Sequence, residues 1–237
     1  MTILLTNDDG LGAPGLEALR NELIPHHDVW VVAPESEMSG RSHGITLHEG
    51  LKVHSEGSQC FAVRGTPVDC VNLALSALMP LAPDLVISGI NKGPNLGTDI
   101  LYSGTCAAAR EAVIRGVCGI AVSLATQAAP WDYGDAAKFV SQGIAHWSQD
   151  WDSHCFWNIN VPDSKGALEV RQTVPGTRKY HNEMVCFRSP RGGEYWFLQP
   201  ASIESSDKEG TDTRAIQDGC ISIGQVLVEP VAPGNGT

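Results

Sequence analysis

Short, wholly apolar runs recur along the chain with room for a helix between them. They are TILLT at 2–6, VWVVA at 29–33, DLVIS at 84–88 and GIAVSL at 119–124, with a shorter one at 60–63. Runs without polar alternation read as strands buried on both faces. The intervening stretches have helical spacing. Pro14 opens one, with Leu16, Leu19 and Leu23 on a single face. Another is expected from about 67 to 79, with Val68, Val71, Leu75 and Leu78 in step. An alanine-rich one is expected over about 104–116 and a fourth over 135–149. Strands alternating with helices define the α/β class, a mostly parallel, Rossmann-like sheet with helices on both faces. In such sheets ligands bind beyond the carboxyl ends of the strands.

After about residue 150 the texture changes. FWNINVP reads as one more strand, ended by Pro162. Residues 163–200 then mix charge, glycine, proline and strand-like pairs around Tyr195, Trp196 and Phe197, and CISIGQVLV reads as a further strand. This material is antiparallel β in character and too short for a core of its own. The expected organisation is a catalytic core over 1–162 and a C-terminal β extension over 163–237, with a frayed tail at 230–237. Apolar strands without a core must cover a neighbour or expose an edge, which points to a homo-oligomer, a dimer or a tetramer, with this region exchanged between subunits.

A formal net charge of −11 argues against a nucleic-acid duplex or an anionic membrane as partner. No apolar run approaches the roughly 20 residues that cross a bilayer. The strand pattern starts at Thr2 with no basic or apolar leader before it, so a cytoplasmic location is expected. The seven cysteines are scattered, with no CxxC pair, as small core residues of a reduced chain are.

Four polar clusters fall at the ends of the expected strands: Asn7-Asp8-Asp9-Gly10, Ser39-Gly40-Arg41-Ser42, the run SGINKGPNLGTD at 88–99, and YSGTCAAARE at 102–111. Singly, each has a plain reading as a turn, a loop or a helix cap. Together they put carboxylates, hydroxyls and amide oxygens at one sheet edge, which are ligands for a hard divalent cation. Adjacent Asp8 and Asp9 repel each other unless a cation offsets them. A helix starting at Ser103-Gly104-Thr105 presents N–H groups and a positive dipole end that suit phosphate. Metal-assisted phosphate-ester hydrolysis follows, with an activated water as the favoured nucleophile and a covalent route through Asp8 as the alternative. The residues alone leave open whether Asn91 or Asn95 is a metal ligand. Arg41 or Lys92 are candidates for attracting phosphate, and Trp131 or Tyr133 for stacking on a base.

The stretches ILLTNDDG, VVAPESEMSGRSHGITL, RGTPVDCVNLAL, PDLVISGINKGPNLGTDILYSGTCAAAREA and EGTDTRAIQDGCISI resemble the SurE family of metal-dependent nucleotidases, in the family's order. The resemblance implies a Rossmann-like core with a C-terminal β extension exchanged between subunits. It implies hydrolysis of nucleoside 5′- and often 3′-monophosphates with one Mg2+ or Mn2+ per subunit. By motif match it assigns metal ligands to Asp8, Asp9, Ser39 and Asn91, with Asp8 and Asp9 also catalytic. It assigns phosphate contacts to Asn95, Ser103, Gly104 and Thr105.

Two other classes compete. A magnesium-binding phospho-receiver needs an acceptor Asp at the end of its third strand, yet the run at 60–63 leads into Arg64-Gly65-Thr66-Pro67. A nucleotide-binding module without hydrolysis would be expected to have GxGxxG, which GINKGPNLG does not form.

Overall fold

The structure, a computed structural model, describes residues 1–126, 129–163, 168–206 and 208–229. The tail expected at 230–237 lies outside the described residues. In chain order the elements are β1 (Thr2–Thr6), α1 (Pro14–Leu23), β2 (Asp28–Pro34), β3 (Lys52–Gly57), β4 (Cys60–Arg64), α2 (Pro67–Leu73), β5 (Leu85–Lys92), α3 (Gly104–Ile114), β6 (Cys118–Ala125), α4 (Gly134–Gln149), β7 (Cys155–Pro162), β8 (Val170–Gln172), β9 (Arg178–Arg188), β10 (Glu194–Ser205), α5 (Asp212–Gln217) and β11 (Ile221–Leu227). The expected helix at 67–79 is α2 continued by a wider π turn over Ala74–Leu78. A 3₁₀ turn, Gly97–Leu101, precedes α3.

Nine strands form one sheet in the order β3-β4-β2-β1-β5-β6-β7-β11-β8. The six from β4 to β7 are parallel, while β3 and β11 run antiparallel to their neighbours β4 and β7. From β1 the chain first builds outward through β2 to β4, then crosses back to place β5 on the other side of β1. The strand order therefore reverses between β1 and β5, the place where a doubly wound sheet opens a crevice.

Alternation along the buried strands assigns the two faces. Ile3, Leu5, Val31 and Ile87 pack with Leu16 and Leu19 of α1 and Val140 and Ile144 of α4. Leu4, Val32 and Val86 pack on the opposite face with Val71 of α2 and with Ala108 and Ala112 of α3. Ile3, Leu4 and Leu5 are fully buried, and each contributes roughly 1.5–3 kcal/mol by leaving water. The alanines let α3 approach the sheet closely, which brings its N-terminus to the end of β1.

The chain beyond residue 162 splits in two. β8 and β11 return to the main sheet, so a boundary at 162 cuts through that sheet. β9 and β10 form a separate antiparallel hairpin. Among the described residues no helix is long and apolar enough to cross a membrane.

Candidate active site

The crevice between β1 and β5 holds the acidic pair. Asn7, buried just beyond β1, closes a tight turn: its Nδ2 donates to the Gly10 carbonyl (2.9 Å) and its Oδ1 accepts the Gly10 N–H (3.2 Å). Gly10 adopts φ +102°, a conformation that other residues rarely take. The turn fixes the directions of the two carboxylates between its ends. Asp8 is buried and Asp9 half-buried.

Asp8 meets the start of α3. Thr105 Oγ1 donates to Asp8 Oδ1, and the N–H groups of Gly104 and Thr105 also stabilise the carboxylate. Burial nonetheless outweighs these donors and raises the Asp8 pKa. A Cβ on Gly104 would lie 2.8 Å from Asp8 Cβ and 2.9 Å from Asp8 Oδ2, so only glycine lets the helix end come this close. Gly104 and Thr105, expected on the phosphate side, thus also hold Asp8.

Asp9 Oδ2 accepts the Lys92 N–H (3.2 Å) across the crevice. Its pKa is raised to about 6, by burial first and by the Asp8 charge second, with Glu37 adding to the repulsion. Two carboxylates that both resist ionisation form a site short of positive charge.

Asn91 lies in β5, not in a loop after it. The pairing of β5 with β6 shifts register between Ser88 and Asn91. Asn91 Nδ2 donates to the Gly93 carbonyl (2.9 Å), which turns its Oδ1 free as an acceptor. Ser39 stands exposed at the rim, donating to Glu37 Oε1 (3.0 Å). Its loop is tied to the site by the Met38 N–H on the Asp8 carbonyl (2.7 Å) and the Ser42 N–H on the Tyr102 carbonyl (3.0 Å).

Asn95 is buried in an amide network. Its N–H donates to Asn160 Oδ1 (2.8 Å), its carbonyl accepts from Asn158 and Asn160, and its Nδ2 donates to Ser123 Oγ (2.8 Å). Ser103 caps α3, its Oγ accepting the Cys106 N–H (3.0 Å), which leaves the hydroxyl proton free to donate.

Asp8, Ser39, Asn91, Asn95 and Ser103 all line one cavity of 780 Å³. The opposite wall is one that sequence reasoning missed. It comes from the hairpin: Arg178, Lys179, Tyr180, Asn182, Leu198 and Ile203. Asp99 ties this wall down, accepting from Arg178 Nη1 and from the Tyr180 hydroxyl. Asp212 at the start of α5 reinforces the tie by accepting the Gly97 N–H (2.7 Å) and the Gly176 N–H (2.8 Å). These partners are 79 to 115 residues apart or, for Gly176, 36 apart, with no local pattern to link them.

Of the other candidates, Lys92 lines the cavity and its Nζ sits over the Trp131 ring (3.9 Å to the centroid). Tyr133 is buried in the core between α1 and α4, where it cannot stack on a ligand. Arg41 is exposed and absent from the cavity lining.

The donor set suits a divalent cation by its chemistry: two carboxylates, an amide oxygen without a donor and a hydroxyl, all hard oxygens. Among the described residues there is no cluster of three or more His, Cys, Asp or Glu, so a softer or all-charged site is not built here.

Fold and site together define a doubly wound α/β protein with an acidic, oxygen-lined crevice at its strand-order reversal. The family model described as Survival protein SurE matches residues 3–182. The chain is 45% identical to 5′-nucleotidase SurE of Geotalea uraniireducens (strain Rf4), over 94% of this chain and 91% of the relative. It is 43% identical to 5′-nucleotidase SurE of Desulforudis audaxviator (strain MP104C), over 97% and 92% respectively. The crystal structure of the SurE protein from Aquifex aeolicus superposes with a TM-score of 0.82 at 33% identity, covering 98% of this chain and 95% of that one. The chain belongs to the SurE family.

Proposed function

We propose that this protein is a divalent-metal-dependent phosphatase that releases phosphate from nucleoside 5′-monophosphates, and from 3′-monophosphates as well. The nucleotidase activity is supported by the names of relatives that match nearly the whole chain. The observation that carries the metal reading is that Asp8, which lines the cavity with Asn91, and the adjacent Asp9 are both reluctant to ionise, while the Asn91 amide group is turned so that its oxygen can accept.

Asp8, Asp9, Ser39 and Asn91 would hold one Mg2+ or Mn2+. When bound, the cation offsets the acidic pair, draws charge from a phosphoryl oxygen and makes a nearby water a better nucleophile. The chain does the rest. Thr105 keeps Asp8 in one orientation, and the Lys92 N–H does the same for Asp9. The Ser103 hydroxyl donates to a phosphoryl oxygen while its Oγ caps α3. Asn95 can present its NH2 group to phosphate, because the Ser123 hydroxyl can donate as well as accept when the amide turns over. Acceptance of the 3′ position follows from contacts made to the phosphate and not to the nucleoside. A receiver or a binding module without hydrolysis is the alternative. Phosphate release from adenosine 5′- and 3′-monophosphate with Mn2+, abolished by EDTA, is the expected result. No release from any monophosphate would refute the proposal.

The homo-oligomer is proposed from the hairpin. Met184, Phe187, Tyr195, Trp196, Phe197 and Leu198 are each more than half exposed on β9 and β10. So much uncovered apolar surface on a paired ribbon calls for a second subunit. The seven free cysteines agree with a reducing, cytoplasmic setting.

A further inference from the structure

The hairpin side of the cavity contains a guanidinium that the fold holds but does not saturate. Arg178 is about nine-tenths buried, its side chain 10% exposed, yet it forms part of the wall facing Asp8, Asn95 and Ser103. Its main chain is fixed by its N–H donating to Thr98 Oγ1 (3.0 Å), and its guanidinium carbon lies 5.7 Å from the centre of the Tyr180 ring. Nη1 donates to Asp99 Oδ2. A two-pronged fork onto Asp99 is blocked, because the other carboxylate oxygen is taken by the Tyr180 hydroxyl. Nε is buried without any partner among the described residues. Structural arginines are normally satisfied on more sides than one, and an unmet charged donor is costly to bury.

Asp99 also places the group. It belongs to the 3₁₀ turn whose carbonyl accepts the Ser103 N–H (3.0 Å), so the guanidinium is anchored one turn from the α3 N-terminus. The chain as a whole repels anions, and Lys92, the cation on the facing wall, is already engaged by Trp131. We propose that Arg178 binds the phosphoryl oxygens of the substrate from the hairpin side, opposite the acidic pair. This rests on the nucleotidase reading above. Because Arg178 and Tyr180 are bonded to Thr98 and Asp99 of the same chain, and Gly176 is joined to Gly97 through Asp212, Arg178 is held at the site of its own chain.

The test compares wild type with R178Q, R178K and D212N as full-length proteins loaded with Mn2+. It measures inorganic phosphate binding by calorimetry, and kcat and KM for adenosine 5′-monophosphate and p-nitrophenyl phosphate. R178Q should weaken phosphate binding by about tenfold or more, the worth of one charged hydrogen bond. It should lower kcat/KM by a similar factor on both substrates, since the contact is to phosphate and not to nucleoside. R178K should recover part of the loss, because Lys keeps the charge but not the planar fork. D212N, which loosens the hairpin base outside the cavity lining, should lower the melting temperature and leave phosphate affinity within about twofold of wild type. If R178Q does not fold, R178K carries the test and must still weaken phosphate several-fold. Phosphate affinity in the Arg178 variants within twofold of wild type would overturn the proposal. So would a loss confined to the nucleotide, or an equal loss in D212N, which would make Arg178 only an anchor for the hairpin. Arg178-dependent phosphate binding without turnover of any monoester by wild type would sink the nucleotidase reading alone. Normal wild-type turnover with an indifferent R178Q would sink this one alone.

Discussion

The two walls of the cavity are built in opposite ways. The acidic wall is made of short chain segments that leave adjacent strands at the point where strand order reverses, and its carboxylates are fixed by neighbouring core elements. Asp8 touches the first turn of α3, and Asp9 touches the backbone of β5. The hairpin wall is delivered by a ribbon that has no core of its own and is pinned at its base by Asp99 and Asp212. The first wall is set by packing against the core, the second by hydrogen bonds at the base of the ribbon. This teaches where chemistry and where recognition are to be sought: on the proposed reading the metal would sit against the acidic wall, and the substrate would lie between the two.

The sharpest way to break the comparison is to remove a charge from the acidic wall. Asp9→Asn should lower kcat by about 10³-fold or more, since metal polarisation of the phosphoryl group is worth several kcal/mol. It should also abolish the rise in melting temperature that Mn2+ gives wild type. The fold should persist, because a raised carboxylate pKa means that the negative charge stabilises nothing in the metal-free protein. Asn91→Ala should weaken the metal-dependent shift less, since it removes a neutral ligand. Turnover and Mn2+ melting shifts measured side by side decide the matter. An Asp9→Asn protein that keeps both would show that the pair is only a turn.

Next in size is Gly104→Ala. The new methyl would have to displace Asp8, whose Cβ and Oδ2 lie within 3 Å of it. Asp8 has no other place to go, being buried and bonded to Thr105. A displacement of about 1 Å at a reacting centre can cost about 10²-fold, so a loss of ten- to a hundredfold in kcat is expected, with weakened Mn2+ affinity. Wild-type turnover in this variant would mean that the acidic wall is less constrained than its packing indicates.

The same contrast explains what could be read from the sequence. The α/β core was legible because its strands are continuous apolar runs and its helices keep a 3.6 period. That Asp8, Ser39, Asn91, Asn95 and Ser103 share one cavity was legible because each ends or follows an expected element, whereas the choice between Asn91 and Asn95 as a ligand was not. The run at 84–88 was drawn too short, since Gly89 and Ile90 sit in a register shift that hides the continuation of β5 through Asn91. The hairpin wall was not legible in the same way. Arg178 acquires its place only by meeting Asp99 from 79 residues away, and the EGTDTRAI stretch only because Asp212 clamps Gly97. Tyr133 misled because an aromatic after a strand end looks available, whereas it packs beneath α4.

The hairpin half of the comparison is sharpened by replacing Trp196 and Phe197 with Ser. Both are more than half exposed on the hairpin and far from Asp99 along the ribbon. Sedimentation should show the oligomer falling to monomers. Turnover per subunit should change by less than about threefold, because surface substitutions away from bonded groups are nearly neutral. A large loss of kcat on dissociation would instead mean that the partner completes the site.

The smallest expected effect is a pH dependence confined to the acidic wall. In metal-free protein the folded pKa of Asp9 is about 6, above its ordinary value of 3.8. Between those values the folded state holds a proton that the unfolded chain has released, so stability falls as pH rises through this window and is level above it. Burial of Asp8 acts in the same direction. Allowing for the partial exposure of Asp9, the penalty is on the order of 1 kcal/mol, or about 2–4 °C in melting temperature for a chain of this size. Asp9→Asn should lack the part of this slope that Asp9 contributes and keep that of Asp8, which gives the internal control. Adding Mn2+ should reverse the sign in wild type: cation binding expels the proton, so the metal-dependent gain grows as pH rises through the folded pKa. Melting curves with EDTA and with Mn2+ from pH 4 to 8 test both slopes. Parallel curves for wild type and Asp9→Asn in EDTA would show that Asp9 is ionised in the folded protein without help from a cation, and that the repulsion across the acidic pair is relieved by the chain itself.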